Sequence, residues 1–154
     1  MTLTEIHSDL FAVPSDFALA HCISADFALG AGIAKQFNKK YQLRKRLFLV
    51  YEASFVPRWD RTQDRFRGGC IINFTNDRTI FNLVTKRNYW MKQELIYIKN
   101  ALLWMKEMCE DHDIKKVAMP KIACGLDGQK WSDIKPLIEE VFKDTDIEFW
   151  VCSL

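Results

Sequence analysis

Residues 118–128 of the 154-residue chain have the sequence Ala-Met-Pro-Lys-Ile-Ala-Cys-Gly-Leu-Asp-Gly, and the predicted site is built around them. Residues 117–119 form a short apolar run closed by a proline, which predicts the end of a buried strand. The loop leads into a helical pattern, and ligands of open α/β sheets bind where such loops leave the carboxyl ends of strands. Gly125 and Gly128 allow the backbone to approach a ligand closely, and Asp127 supplies an acid or base. We therefore predict a ligand-binding loop here, with a plain strand-to-helix turn as the alternative.

A second glycine loop, Leu-Gly-Ala-Gly-Ile-Ala, occupies residues 29–34 between the apolar run 18–23 and a helical pattern. A strand, a glycine loop and a helix start in this order direct backbone N–H groups and the positive end of a helix dipole at phosphate. This loop lacks the third glycine of the dinucleotide fingerprint and the Gly-Lys-Ser/Thr of a P-loop, so it is weak evidence alone. The two loops together favour a phosphate-binding site.

The composition fits a single domain of residues 1–154, because 49% of the residues are apolar and 13% aromatic. A net charge of +2 with 27% charged residues is typical neither of disorder nor of a polyanion binder. The sequence shows no apolar run of membrane-spanning length and no signal peptide at its start, so we expect no membrane insertion and a cytoplasmic location by default. Five cysteines without a C-x-x-C motif are predicted to be buried free thiols rather than disulfides or zinc ligands: Cys22, Cys70, Cys109, Cys124 and Cys152.

Basic residues are concentrated in residues 35–67, which contain ten Lys or Arg and three acidic residues. This segment carries a net charge of +7 and the rest of the chain −5, within a total of +2. Such asymmetry can steer an anionic partner toward the protein. The alternative is a solvated helix face followed by a loop.

Hydrophobic periodicity predicts alternating strands and helices. The predicted strands are 2–7, 17–23, 70–74, 79–84, 117–119 and 147–151, and the second of them places His21 in the core. Helices are predicted at 33–38, 42–53 and 91–110, with a loop at 57–69. A last helix, with an apolar face between Trp131 and Phe142, is predicted to hold Pro136 in its first turn under a Ser132 or Asp133 cap. The alternation predicts an α/β fold, a three-layer α/β/α domain with a central mixed sheet.

Five motifs in this order resemble the macro domain family and, within it, the terminal ADP-ribose glycohydrolase subgroup. They are Asp9-Leu10-Phe11, Ala20-His21-Cys22-Ile23-Ser24, Gly30-Ala31-Gly32-Ile33-Ala34, Val84-Thr85-Lys86 and residues 119–127. The likeness covers nearly the whole chain and is weakest at residues 40–70. The combination of Thr85-Lys86 with Gly125-Leu126-Asp127 is its specific part, whereas Ser8 replaces a glycine usual in the family.

The resemblance implies the catalytic residues. Lys86 would attack the anomeric carbon of the ribose, and Asp127 would move the protons, with no metal and no cofactor in the scheme. Judged from the residues alone, a lysine at a strand end beside an anion loop is either a nucleophile or a point charge for phosphate, and both alternatives stay open.

The resemblance also implies how the substrate is held. Asp9 would accept a hydrogen bond from the adenine amine, and Leu10 and Leu154 would lie at the adenine, with core packing as their alternative role. The two loops would hold the diphosphate between them. The implied binding residues are Asp9, Leu10, Ser24, Gly30, Ala31, Gly32, Ile33, Lys121, Ile122, Ala123, Cys124, Gly125, Leu126 and Leu154.

The implied activity is removal of mono-ADP-ribose from glutamate or aspartate esters, together with deacylation of O-acyl-ADP-ribose. The implied partners are ADP-ribose and ADP-ribosylated proteins, and we expect a monomer. Two alternatives remain: a non-catalytic ADP-ribose reader, which would need neither Lys86 nor Asp127, and a hydrolase of ADP-ribosylated nucleic acid, to which residues 35–67 would supply phosphate contacts.

Overall fold

The computed structural model describes residues 1–50, 66–125 and 128–154. Within these residues the chain forms a six-stranded sheet flanked by helices, and a short 3-10 helix, Leu10–Ala12, follows the first strand. The strands and helices in chain order are β1 Thr2–His7, β2 Ala18–Ser24, α1 Gly32–Tyr41, α2 Leu43–Val50, β3 Gly69–Phe74, β4 Thr79–Lys86, α3 Leu95–Asp111, β5 Lys116–Met119, α4 Trp131–Phe142 and β6 Glu148–Ser153.

The strand order across the sheet is β1-β6-β5-β2-β4-β3. All neighbouring strands run parallel except β3 and β4, which form an antiparallel hairpin from Gly69↔Val84 to Phe74↔Thr79. The sheet is therefore mixed, as the sequence predicted. Five strands end at the same edge, and the connections that follow them meet there.

Side chains on successive strand residues face opposite sides of the sheet and build two cores. Ala20 and Phe81 pack with α3 and α4 on one face, whereas Leu19 and Ile80 pack with α1 and α2 on the other. This arrangement confirms the predicted α/β/α layers. It also leaves the carboxyl edge of the sheet open between the two helical layers.

Several predicted boundaries were wrong by a few residues. The structure gives β2 as Ala18–Ser24 and β6 as Glu148–Ser153, because ladder pairing continues past the apolar cores of both strands. Helix α1 begins at Gly32 and continues to Tyr41, where Gln42 caps it in the left-handed conformation. Helix α2 covers Leu43–Val50, and its predicted extension to 53 lies outside the described residues. The predicted loop 57–69 mostly lies outside them too, although Gly69 belongs to β3.

Two helix starts were also wrong. Helix α3 begins at Leu95 rather than at residue 91, since the preceding residues form a separate connecting segment. Helix α4 begins at Trp131 after Lys130, so neither Ser132 nor Asp133 caps it, and Pro136 lies in its second turn. The indole of Trp131 donates to the Glu5 carboxylate at 3.0 Å, which anchors this earlier start to β1.

All five cysteines are free thiols. Cys70, Cys109 and Cys152 are buried, whereas Cys22 and Cys124 are only half-buried, contrary to the prediction that all five are buried. Among the helices that the structure describes, none is both long enough and apolar enough to span a membrane.

Candidate functional site

The predicted binding residues follow the carboxyl ends of the five parallel strands. Asp9 and Leu10 come after β1, residues 24–33 begin at the end of β2, and residues 121–125 come after β5. Lys86 is the last residue of β4, and Leu154 follows β6. The fold therefore gathers these segments along one edge of the sheet, although they are far apart in sequence.

A cavity of about 610 Å³ opens at this edge beside β2 and β4. Its volume lies in the range of small-molecule sites. Ser24, Gly30, Ala31 and Lys86 line it, so part of the predicted phosphate loop and the predicted nucleophile share one space. The other lining residues are Cys22, Ile23, Ala28, Leu29, Ala34, Tyr89, Trp90, Met91, Lys92 and Gln93.

The amino end of α1 is open for an anion. Its N-cap residue Ala31 has no side-chain cap, and its first turn contains no acidic residue. The first N–H groups of a helix have no intrahelical acceptor, and the helix dipole adds positive potential there. Because Gly30 and Ala31 line the cavity, this end of α1 fits a phosphate in it.

The loops at this edge hold strained backbone. Phe27, Leu29 and Ala123 have φ values of 54°, 43° and 63°, in the left-handed region that side chains other than glycine rarely adopt. Gly32 has φ 59°, so a glycine suits the entry to α1 on backbone grounds. Each strained residue costs about 1–3 kcal/mol and persists only where surrounding contacts impose it.

Asp26 supplies such contacts. Its Oδ1 accepts the Ser24 hydroxyl at 2.5 Å and the Ala28 N–H at 3.2 Å, and its Oδ2 accepts the Tyr89 N–H at 3.0 Å. One carboxylate thus ties the loop before α1 to the segment after β4, and both contribute walls of the cavity. Sequence reasoning missed Asp26 because its partner Tyr89 is distant in the chain.

A β-bulge sets the position of Lys86. Ile23 pairs with Val84, but the next residue of β2, Ser24, pairs with Lys86, so Thr85 is an extra residue on β4. The Ala25 N–H then donates to the Lys86 carbonyl at 2.9 Å and fixes this register. Thr85 is fully buried, and its hydroxyl has no hydrogen-bond partner among the described residues. Bulges of this kind redirect side chains near active sites.

The loop after β5 is described as far as Gly125. Ile122 and Ala123 are buried, Lys121 lies 3.9 Å from the Glu5 carboxylate, and the Cys124 thiol donates to the Ile122 carbonyl at 3.2 Å. These residues do not line the 610 Å³ cavity. Leu126 and Asp127 lie outside the described residues, so the proximity of Asp127 to Lys86 stays a prediction.

The three residues predicted at the adenine differ in exposure. The Asp9 carboxylate is exposed, and its Oδ1 accepts the Phe11 N–H at 3.0 Å, which caps the short 3-10 helix. Leu10 is 5% exposed and packs in the core, the alternative role considered for it. Leu154 is 89% exposed, so core packing does not account for that residue. Contacts of all three with adenine stay predictions.

His21 is a buried core histidine, as predicted. Its ring stacks on Phe37 of α1 with centroids 3.9 Å apart, and its Nε2 lies 2.7 Å from Asn82 Oδ1. The Asn82 amide nitrogen donates to the Ile71 carbonyl and to Asn73 Oδ1, so its oxygen is the acceptor and Nε2 carries the proton. Burial lowers the pKa of His21 to about 4, which keeps the ring neutral.

Residues 89–93 form most of the cavity wall that the sequence reasoning missed. Tyr89 and Trp90 are 62% and 68% exposed, which is unusual for such large apolar groups. The two consecutive aromatic residues could have indicated a binding surface here. The predicted helix 91–110, however, included residues 91–93 of this wall. Among the described residues, no three His, Cys, Asp or Glu side chains are grouped as metal ligands.

The chain is 34% identical over 152 residues to the human protein named ADP-ribose glycohydrolase OARD1, a match that covers 99% of this chain and 91% of that protein. The chain belongs to the macro domain family. Within that family it groups with this terminal ADP-ribose glycohydrolase. No family model matches the chain.

Other macro domains share the fold at lower identity. The macrodomain of Mycobacterium tuberculosis DarG superposes with a TM-score of 0.79 at 22% identity, covering 99% of this chain and 98% of that one. The Thermus aquaticus protein named DNA ADP-ribosyl glycohydrolase is 23% identical over 150 residues. That match covers 95% of this chain but 39% of the relative, which is the longer protein.

Proposed function

We propose that this macro domain is an ADP-ribose glycohydrolase that releases ADP-ribose from glutamate or aspartate ester linkages, with Lys86 as nucleophile and Asp127 as the proton-transfer residue. The observation that carries the proposal is the placement of Lys86 in the same cavity as Gly30, Ala31 and the uncapped end of α1. A diphosphate bound at α1 would place the ribose between that helix and Lys86. The name of the 34% identical relative supports the same reaction class.

The chemistry of such a site is a displacement at the anomeric carbon. The Lys86 amine forms a C–N bond to the anomeric carbon, and the C–O bond between that carbon and the acceptor carboxylate breaks. Asp127 takes the proton that the amine loses. Opening of the ribose ring gives a Schiff base, and water then releases ADP-ribose and regenerates the amine. Attack by a water molecule on the acyl carbon of O-acyl-ADP-ribose would be a second use of the site.

Substitution and trapping test this proposal. Lys86→Ala and Asp127→Ala should each abolish ADP-ribose release from a carboxylate-linked substrate and retain ADP-ribose binding by calorimetry. Because the two residues act in one step, the double variant should lose little more activity than either single variant. Borohydride added during turnover should increase the mass of the wild-type protein and leave Lys86→Ala unmodified, because only an amine forms a reducible Schiff base.

The outcomes separate the alternatives. Activity retained by Lys86→Ala but lost by Asp127→Ala would make the lysine an anion contact and favour attack by water. Binding without release by the wild-type protein, across ester-linked and nucleic-acid-linked substrates, would make the chain a reader. Release from ADP-ribosylated oligonucleotides alone, with binding that weakens steeply as salt rises, would favour the nucleic-acid hydrolase.

A further inference from the structure

A second cavity, of about 540 Å³, also borders the segment that follows β4. Lys86, Trp90, Met91 and Lys92 line both this cavity and the 610 Å³ one, so the two spaces share a wall at the predicted nucleophile. None of the glycine-loop residues lines the second cavity. Its remaining lining residues are Phe66, Arg87, Glu94 and Tyr97.

The second cavity has a packed aromatic side. The rings of Phe66 and Tyr97 meet edge to face, with centroids 5.0 Å apart and an interplanar angle of 73°. Phe66 is 7% exposed, so this side is held by the core. Trp90, on the shared wall, is 68% exposed and offers a large apolar surface next to Lys86. Exposed aromatic groups beside a cavity are typical of peptide-binding surfaces.

The charged residues of the second cavity are mixed in sign. Arg87 and Lys92 are cationic and Glu94 is anionic, so the lining carries a small positive excess apart from Lys86. An arginine is suited to a carboxylate, which it can bind through two parallel N–H groups. The carboxylate of Glu94 can accept backbone N–H groups, which a peptide acceptor offers and a sugar-phosphate backbone does not.

The reaction proposed above needs two sites on either side of the anomeric carbon. That carbon joins ADP-ribose to the acceptor. With ADP-ribose bound in the first cavity, the acceptor must therefore extend out of that cavity close to Lys86. We propose that the second cavity is the acceptor subsite, which holds an acidic peptide segment around the modified carboxylate, with Arg87 facing the carboxylate of an acidic neighbour and Glu94 facing the peptide backbone. This inference rests on the proposed function.

Two substrates with one ADP-ribose group and different acceptors test the subsite. One is a synthetic peptide with ADP-ribose on a glutamate between acidic neighbours, and the other is the 1″-acetyl ester of ADP-ribose, whose acceptor is too small to fill the cavity. Arg87→Gln should raise KM for the peptide about tenfold, as expected for one lost charge-assisted contact, and leave the acetyl ester unaffected. Glu94→Gln should lower KM for the acidic peptide, because glutamine keeps an oxygen that accepts peptide N–H groups and removes the charge that repels the acidic neighbours.

Lys143→Gln is the matched control, since Lys143 is an exposed cation at the far end of α4 and lines neither cavity. Its KM for both substrates should equal that of the wild-type protein. ADP-ribose affinity, measured by calorimetry, should be unchanged in all three variants. Glu94→Gln keeps the test informative if Arg87→Gln does not fold.

Equal losses on both substrates would overturn the subsite, because Arg87 would then act on the ADP-ribose moiety. Unchanged KM for the peptide in both Arg87→Gln and Glu94→Gln would overturn it too. A defect confined to an ADP-ribosylated oligonucleotide would show that the cavity holds a nucleobase instead. Failure of the wild-type protein to release ADP-ribose from either substrate would refute the proposed function rather than the subsite alone.

Discussion

Acidification from pH 7.5 to 4.5 should destabilise this protein through His21. Burial lowers the pKa of His21 in the folded protein from 6.5 to about 4. The unfolded chain therefore binds a proton in this range that the folded protein does not, so the stability contribution is present above pH 6.5 and is lost as pH falls toward 4. Each pH unit within that window costs about 1.4 kcal/mol, which gives about 3 kcal/mol in total.

The geometry explains why the folded protein resists this proton. Nε2 already donates to Asn82, and Nδ1 is buried with no hydrogen-bond partner among the described residues. A second N–H at Nδ1 would have no acceptor, and the added charge would lie in the core beside the ring of Phe37. Protonation therefore favours unfolding.

Urea denaturation at four pH values between 7.5 and 4.5 measures this effect. The wild-type free energy of unfolding should fall by most of the expected 3 kcal/mol. His21→Gln, which retains an amide donor for Asn82, should show a flatter profile, and His7→Gln, at an exposed histidine, should follow the wild type. Parallel profiles for wild type and His21→Gln would refute the reasoning.

Three further substitutions have defined outcomes. Asp26→Asn leaves one acceptor oxygen for three donors, so it should lower the free energy of unfolding, measured by urea denaturation, by about 1–2 kcal/mol. It should also weaken ADP-ribose binding measured by calorimetry. Wild-type values of both quantities would contradict the bridging role. Gly30→Val should fold, since a Cβ there meets nothing closer than the Ala28 carbonyl at 3.8 Å. ADP-ribose should no longer raise the melting temperature of this variant. A retained increase would show that the loop is merely a turn. Arg78→Ala should lower the free energy of unfolding, measured by urea denaturation, by about 3 kcal/mol, because four carbonyls lose the guanidinium that they share. Arg78→Lys should lower it by an intermediate amount. A change under 1 kcal/mol in Arg78→Ala would be inconsistent with this role. Those carbonyls belong to Phe11, Val13, Pro14 and Phe17.

The fold was accessible from the sequence because its strands have short, clear patterns. Strand β1 was predicted with the observed bounds, since polar and apolar residues alternate there. Helix α3 was extended four residues too far because Met91 matches its apolar period, whereas the buried Gln93 belongs to the connecting segment and its carbonyl accepts the Gln129 side chain. Local periodicity carries no information about such distant contacts.

The site was accessible only in part. The glycine loop indicated Gly30 and Ala31, the resemblance to macro domains indicated Ser24 and Lys86, and these four residues do line one cavity. The second cavity and the Asp26 bridge could not be predicted, because each joins segments that are neighbours only in the folded chain. The resemblance implied Gly32 as a diphosphate-binding residue, and its positive φ adds a backbone requirement for glycine that the sequence pattern did not reveal.

The bulge at Thr85 limits how the Thr-Lys motif can be moved to another protein. Ser24 pairs with Lys86 rather than with Thr85. Lys86 therefore lines the cavity only because β4 contains Thr85 as one extra, unpaired residue. An enzyme designer who copies the two residues onto a regular parallel pair of strands would place the amine one step out of phase, on the face that here holds a buried hydroxyl. The transferable unit is therefore the irregular strand pair, together with the Ala25 amide that holds its end.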